Sequence, residues 1–125
     1  MEQTVASVSL AVHEKLELKK NRLSPLPGKD KGKRICVVTG VHGDELEGQY
    51  VVYLLNRKIQ AHPELLTGTV DIYPASNPLG INTIQRGIPL FDLDMNRIFP
   101  GNTNGPMAEY YAHEVVEDMK GADIA

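Results

Sequence analysis

The stretch "RICVVTGVHGDELEGQYVVYLLNRKI", residues 34–59, sets two different periodicities back to back. Its opening, "RICVVTG", is a short unbroken apolar run rich in β-branched residues, the pattern of a strand covered on both faces. A central strand is predicted there. After His42, Val51, Leu54, Leu55 and Ile59 fall at helical spacing, which predicts a helix from about Glu45 to Gln60. Asp44 is its expected N-cap, and Glu47, three residues on, completes a capping box. "TGTVDIYPA", residues 67–75, reads as a second strand closed by Pro74. Strand, helix and strand in this order predict a parallel crossover unit. The fold class that follows is α/β, with a mainly parallel or mixed sheet flanked by helices.

Upstream, Val8, Leu10 and Val12 and then Leu16 and Leu18 alternate with polar or small residues, the period of a half-buried strand or hairpin at a sheet edge. "SPLPGKDKGK", residues 24–33, gathers Pro, Gly and Lys and reads as a loop. Downstream, Ser76 to Gly105 shows no lasting period. A structureless connection of roughly thirty residues is too long to be a mere link, so this segment is expected to carry function. "PMAEYYAHEVVEDMKG", residues 106–121, recovers a helical pattern, with Pro106 in its first turn and Gly121 as its stop. "ADIA", residues 122–125, begins a further buried strand, and the chain is expected to be a fragment of a larger domain.

The 125 residues fit one domain, and their 42% hydrophobic and 23% charged content is ordinary for a globular protein. A net charge of -3 gives no electrostatic case for nucleic acid or an anionic membrane. Nothing is long enough to span a membrane, and the N-terminus lacks the form of a secretory signal. Cys36 is the single cysteine and lies in an apolar run, which fits a buried thiol in a reducing, cytoplasmic setting.

Two constellations carry chemistry. His42 and Glu45 sit where a loop leaves the C-terminal end of a buried strand, the usual place for ligand sites in open α/β sheets. One imidazole nitrogen and one carboxylate at this spacing can converge on Zn²⁺. The alternative is that the acidic residues only complement a helix dipole, which accounts for Asp44 and Glu47 but not for His42. The second constellation is Arg86 with Asp94, Asn96 and Arg97 in "SNPLGINTIQRGIPLFDLDMNRIFPG", residues 76–101. Guanidiniums and an amide there could recognise a carboxylate or stabilise an oxyanion. Equally, the arginines could simply pair with Asp92 and Asp94 on the surface. His113 and Glu117 share a helical face but read as solvated, and His13 and His62 read as surface histidines.

In order, "GVHGDE", "NPLG" and "DMNRIFPG" resemble the successive landmarks of the succinylglutamate desuccinylase and aspartoacylase family, relatives of the zinc carboxypeptidases. The resemblance covers roughly residues 35 to 105. It implies a zinc carboxypeptidase-like fold, truncated, with residues 1–125 forming the N-terminal part of a single hydrolase catalytic domain. It implies His42 and Glu45 as zinc ligands, Arg86 as the group that polarises the scissile carbonyl, and Asn96 and Arg97 as substrate-binding residues. The implied cofactor is Zn²⁺, with the third protein ligand and the proton-shuttling glutamate beyond Ala125. The implied activity is hydrolysis of a small N-acyl amino acid or similar carboxylate, with this chain inactive alone. A zinc carboxypeptidase shares the same groups and remains open. So does a non-catalytic domain that holds an anion with Arg86, Arg97 and the helix start near Glu45. An open sheet edge would favour homo-oligomers.

Overall fold

The computed structural model describes residues 1–89 and 91–125. Strand β1 (Glu2–Ser9) and strand β2 (Lys15–Leu23) form the expected hairpin. Their connection turns through Val12 and His13, both in the left-handed region. Strand β3 (Arg34–Val38) leads to helix α1 (Glu47–Ala61), and strand β4 (Thr69–Tyr73) returns parallel to β3. The sheet is mixed, in the order β1-β2-β4-β3, with β2 antiparallel to both β1 and β4.

Three expectations are corrected. β3 is not central among the four strands; β4 is. The outer edge of β3 nevertheless receives a parallel bridge from Ile124, whose carbonyl accepts from the Cys36 N–H at 2.9 Å. Next, α1 begins at Glu47, with Leu46 as a cap that offers no side-chain acceptor, so Asp44 is no N-cap and no capping box forms. The residues before Glu47 are drawn instead into a turn that packs against the next loop. Finally, the segment from 76 to 105 contains order. Helix α2 (Pro78–Thr83) and a 3₁₀ turn at Met95–Arg97 lie within it, and Ile88 bridges Leu93. A six-residue helix is too short to register as a period. Helix α3 (Met107–Met119) follows as expected, although Pro106 is its cap rather than its first turn.

Alternation along the strands sends neighbouring residues to opposite faces, and each face has its own cluster. Ile72, Val37 and Leu23 meet Val52, Leu55 and Ile59 of α1. Tyr73, Cys36, Leu18 and Ala6 meet Ala108, Tyr111, Ala112 and Val115 of α3. Helices on both faces of a sheet are the α/β arrangement expected. Cys36 is a buried free thiol.

Candidate active site

β3 and β4 are parallel, so the loops that follow them leave from the same end of the sheet, where α/β folds gather ligand groups. The two loops stay joined: Ser76 N donates to Thr39 O at 3.1 Å and Asn77 N to Gly40 O at 2.8 Å. His42 is carried on the first loop. Its neighbour Gly43 rests directly on the backbone of Gly80 in α2, with no room for a Cβ, and donates its N–H to Gln85 O at 3.0 Å. That contact explains why the residues before α1 form a tight turn rather than a helix cap.

His42 lies between two carboxylates. Its Nδ1 is 3.2 Å from Glu45 Oε1, and its Nε2 is 2.9 Å from Asp94 Oδ1. Asp94 is held below the ordinary carboxylate range, chiefly by the His42 hydrogen bond, which outweighs the opposing effect of burial with help from the Asn96 N–H. An ionised carboxylate can only accept, so in the neutral imidazole that keeps its proton on Nε2, the nitrogen nearer a carboxylate, Nδ1 turns its lone pair towards Glu45. A lone pair facing a carboxylate oxygen is two acceptors meeting. The pair is stable only with a proton or a cation between them.

Zinc suits this gap. Two atoms each about 2.0–2.1 Å from one tetrahedral ion lie about 3.3 Å apart, close to the Nδ1 to Oε1 separation. An imidazole whose other nitrogen donates to a carboxylate is also the common form of a zinc-binding histidine. Among the described residues no group of three His, Cys, Asp or Glu converges as a metal cage. Two donors and one supporting carboxylate are what this chain provides.

Arg86 completes the cluster. Its Nη1 donates to Glu45 Oε1 at 3.1 Å, and its Nη2 lies 3.6 Å from Asp94 Oδ2. Both readings of Arg86 therefore meet in one place: it pairs with an acidic residue, and it does so at the predicted site. Asn96 and Arg97 occupy the turn directly after Asp94, where Asn96 N donates to Asp94 Oδ1 at 3.0 Å. Their side chains are exposed and, among the described residues, make no hydrogen bond or ion pair. Asp94, a member of the second constellation, lies near Arg86 and also contacts His42, a pairing between the two constellations that the sequence does not announce. From its position two residues before Asn96 in "DMNR", one carboxylate serves the turn and His42 together. His113 and Glu117 form only a long surface contact of 3.9 Å, as expected.

The sequence profile of the succinylglutamate desuccinylase/aspartoacylase catalytic domain matches residues 31–123. The chain belongs to this family, whose members are deacylating hydrolases. It is 32% identical over 81 residues to the N-alpha-acetyl-L-2,4-diaminobutyric acid deacetylase of Halomonas elongata, covering 65% of this chain and 23% of that protein. A succinylglutamate desuccinylase/aspartoacylase from Rhodobacter sphaeroides superposes with a TM-score of 0.81 at 29% identity, over 98% of this chain and 38% of that one. A metallo-carboxypeptidase from Pseudomonas aeruginosa, solved with (2-guanidinoethylmercapto)succinic acid, shares the fold at a TM-score of 0.58 and 16% identity. It aligns with 98% of this chain and 33% of its own. The chain thus spans less than half the length of each of these relatives.

Proposed function

We propose that this chain is part of a zinc-dependent amidohydrolase that removes an acyl group from a small N-acylated amino acid or a similar carboxylate. The observation that carries the reading is the His42 Nδ1 to Glu45 Oε1 gap of 3.2 Å, with the far side of the imidazole held by Asp94. His42 and Glu45 would hold zinc, which when bound would supply Lewis acidity to polarise a carbonyl and activate water.

The chain's own residues divide the remaining work. Asp94 accepts a hydrogen bond from Nε2–H and thereby favours the tautomer that presents the Nδ1 lone pair, while Glu45 supplies a carboxylate oxygen. Arg86, anchored on Glu45, donates to the carbonyl oxygen as negative charge develops on it. Asn96 and Arg97, exposed on the adjacent turn, receive the substrate carboxylate. Among the described residues two donors converge, one short of the three protein ligands of a catalytic zinc site, so this chain alone is expected to hold zinc weakly and to lack enzyme-like hydrolysis. The buried free thiol of Cys36 supports a reducing, cytoplasmic location. The net charge of -3 argues against nucleic acid as a partner.

Zinc titration by calorimetry tests the reading. His42→Ala and Glu45→Gln should each weaken zinc binding by more than about tenfold, because each removes a ligand. Unchanged affinity in both would overturn it and favour the anion-binding domain, whose ligand would be insensitive to His42. The carboxypeptidase neighbour keeps peptide C-terminal hydrolysis as the second reading. A panel of N-acyl amino acids against peptides, applied to a complete enzyme carrying this segment, separates the two.

A further inference from the structure

The motif "NPLG", residues 77–80, has no chemical task in the reading above, yet Asn77 is among the most completely buried polar residues described, at 2% exposure. Its amide is used at both ends. The Oδ1 accepts from Gly80 N at 2.9 Å and so caps α2, while the Nδ2 donates to Gly87 O at 3.0 Å. Its backbone N–H holds Gly40 O, two residues before His42. One buried residue is thus bonded to the loop that carries His42, to α2, and to the carbonyl of Gly87, the residue after Arg86.

Helix capping alone does not require this residue. An acceptor suffices for a cap, and Ser or Asp provides one as well as Asn does. Only the amide adds a donor, and that donor is spent on Gly87 O rather than on the helix. Gly80 fits the same account, since a Cβ there would overlap the Asn77 amide. We infer that Asn77 is a positioning residue, holding the loop of Arg86 so that its guanidinium reaches Glu45 beside His42. The inference rests on the proposed function for its catalytic meaning, although the geometry it asserts is independent of zinc.

Asn77→Ser is the informative variant, because serine can keep the cap on Gly80 N but is too short to reach Gly87 O. Thr83→Ala is the control: it removes hydrogen bonds within α2, to Leu79 O and Gly80 O, without touching Asn77. The readout is the Arg86 guanidinium, followed by NMR of its side-chain protons and by a crystal structure of each variant. In the unaltered chain and in Thr83→Ala, Arg86 should remain paired with Glu45 near 3.1 Å and show restrained guanidinium resonances. In Asn77→Ser the pair should open beyond about 4 Å and the resonances should average to those of a free arginine. Should Asn77→Ser fail to fold, Asn77→Asp is used instead, which retains the side-chain shape and loses the same donor. Arg86 staying on Glu45 in a folded Asn77 variant, or leaving it equally in Thr83→Ala, overturns the inference. Zinc titration of the unaltered chain is scored separately, so loss of the hydrolase reading would leave the Asn77 result standing.

Discussion

Asp94 is the nearer of the two carboxylates that flank His42, 2.9 Å from its Nε2. Replacing it by asparagine preserves the shape but allows the amide to donate towards Nε2, which moves the imidazole proton to Nδ1, the nitrogen that faces Glu45. Asp94→Asn should therefore weaken zinc binding by about 10- to 100-fold while leaving the thermal unfolding midpoint nearly unchanged, as measured by calorimetric titration and by circular dichroism. Equal affinity in the variant would remove Asp94 from the site. At this scale the sequence was informative about identity and poor about partners. His42, Glu45 and Arg86, which stand in different parts of the sequence, lie in contact with one another through the Glu45 carboxylate. The His42 to Asp94 contact joins positions 52 apart, and no local pattern encodes it. The same limit explains Asp44: its neighbours satisfied the rule for a helix cap, but the approach of Gly43 to Gly80 overrode it.

Strand β4 joins the sheet to α3 through a buried charge. Asp71 is fully enclosed and accepts from Arg22 Nε at 2.7 Å, Arg22 Nη2 at 2.6 Å and Arg34 Nε at 2.9 Å, with Lys20 at 3.5 Å. Arg34 extends the link by donating to Asp118 O in the last turn of α3 and to Lys120 O just beyond it. Burial pushes the Asp71 carboxyl up, but the paired guanidiniums and Lys20 prevail and hold it at about 2, below the ordinary 3.8. A depressed carboxylate stabilises the fold above its unfolded value and loses that contribution as pH falls through the folded one. The window is therefore about pH 4 down to 2, and the shift corresponds to roughly 2 kcal/mol. Urea unfolding across this range should show the loss in the unaltered chain, and a smaller pH dependence in Asp71→Asn from a lower starting stability. An unaltered acid limb in that variant would show that another carboxylate governs it. In sequence, β4 was legible from "TVDIY", yet an aspartate in mid-strand suggests a solvent face; only the cations of β2 and β3 make its burial possible. α2 was invisible for a different reason, since its order comes from Asn77 and Gly80 rather than from an amphipathic repeat.

The whole molecule leaves apolar surface uncovered. Tyr50, Val51, Tyr53 and Leu54 of α1 are 46–63% exposed, although the opposite side of the same helix is packed on the sheet. Among the described residues, β1 has no strand on its outer side, and the outer side of β3 is met only at its start by residues 123–124. An apolar helix face beside open strand edges favours association, because both the hydrophobic surface and the unpaired backbone groups gain by being covered. The sequence foresaw the open edge but not the helix face. Its helical spacing selected Val51 and Leu54 as core, while the structure places Val52 inside and leaves those two outside. Sedimentation velocity over a concentration series should show reversible self-association of the unaltered chain. Val51→Lys combined with Leu54→Lys should shift it towards monomer with an unchanged far-ultraviolet spectrum, since both side chains already face solvent and lysine preserves the helix. If the unaltered chain sediments as a monomer throughout, the exposed face does not drive association, and the homo-oligomer reading fails with it. If the double variant associates as strongly as the unaltered chain, the strand edges rather than α1 hold the copies together.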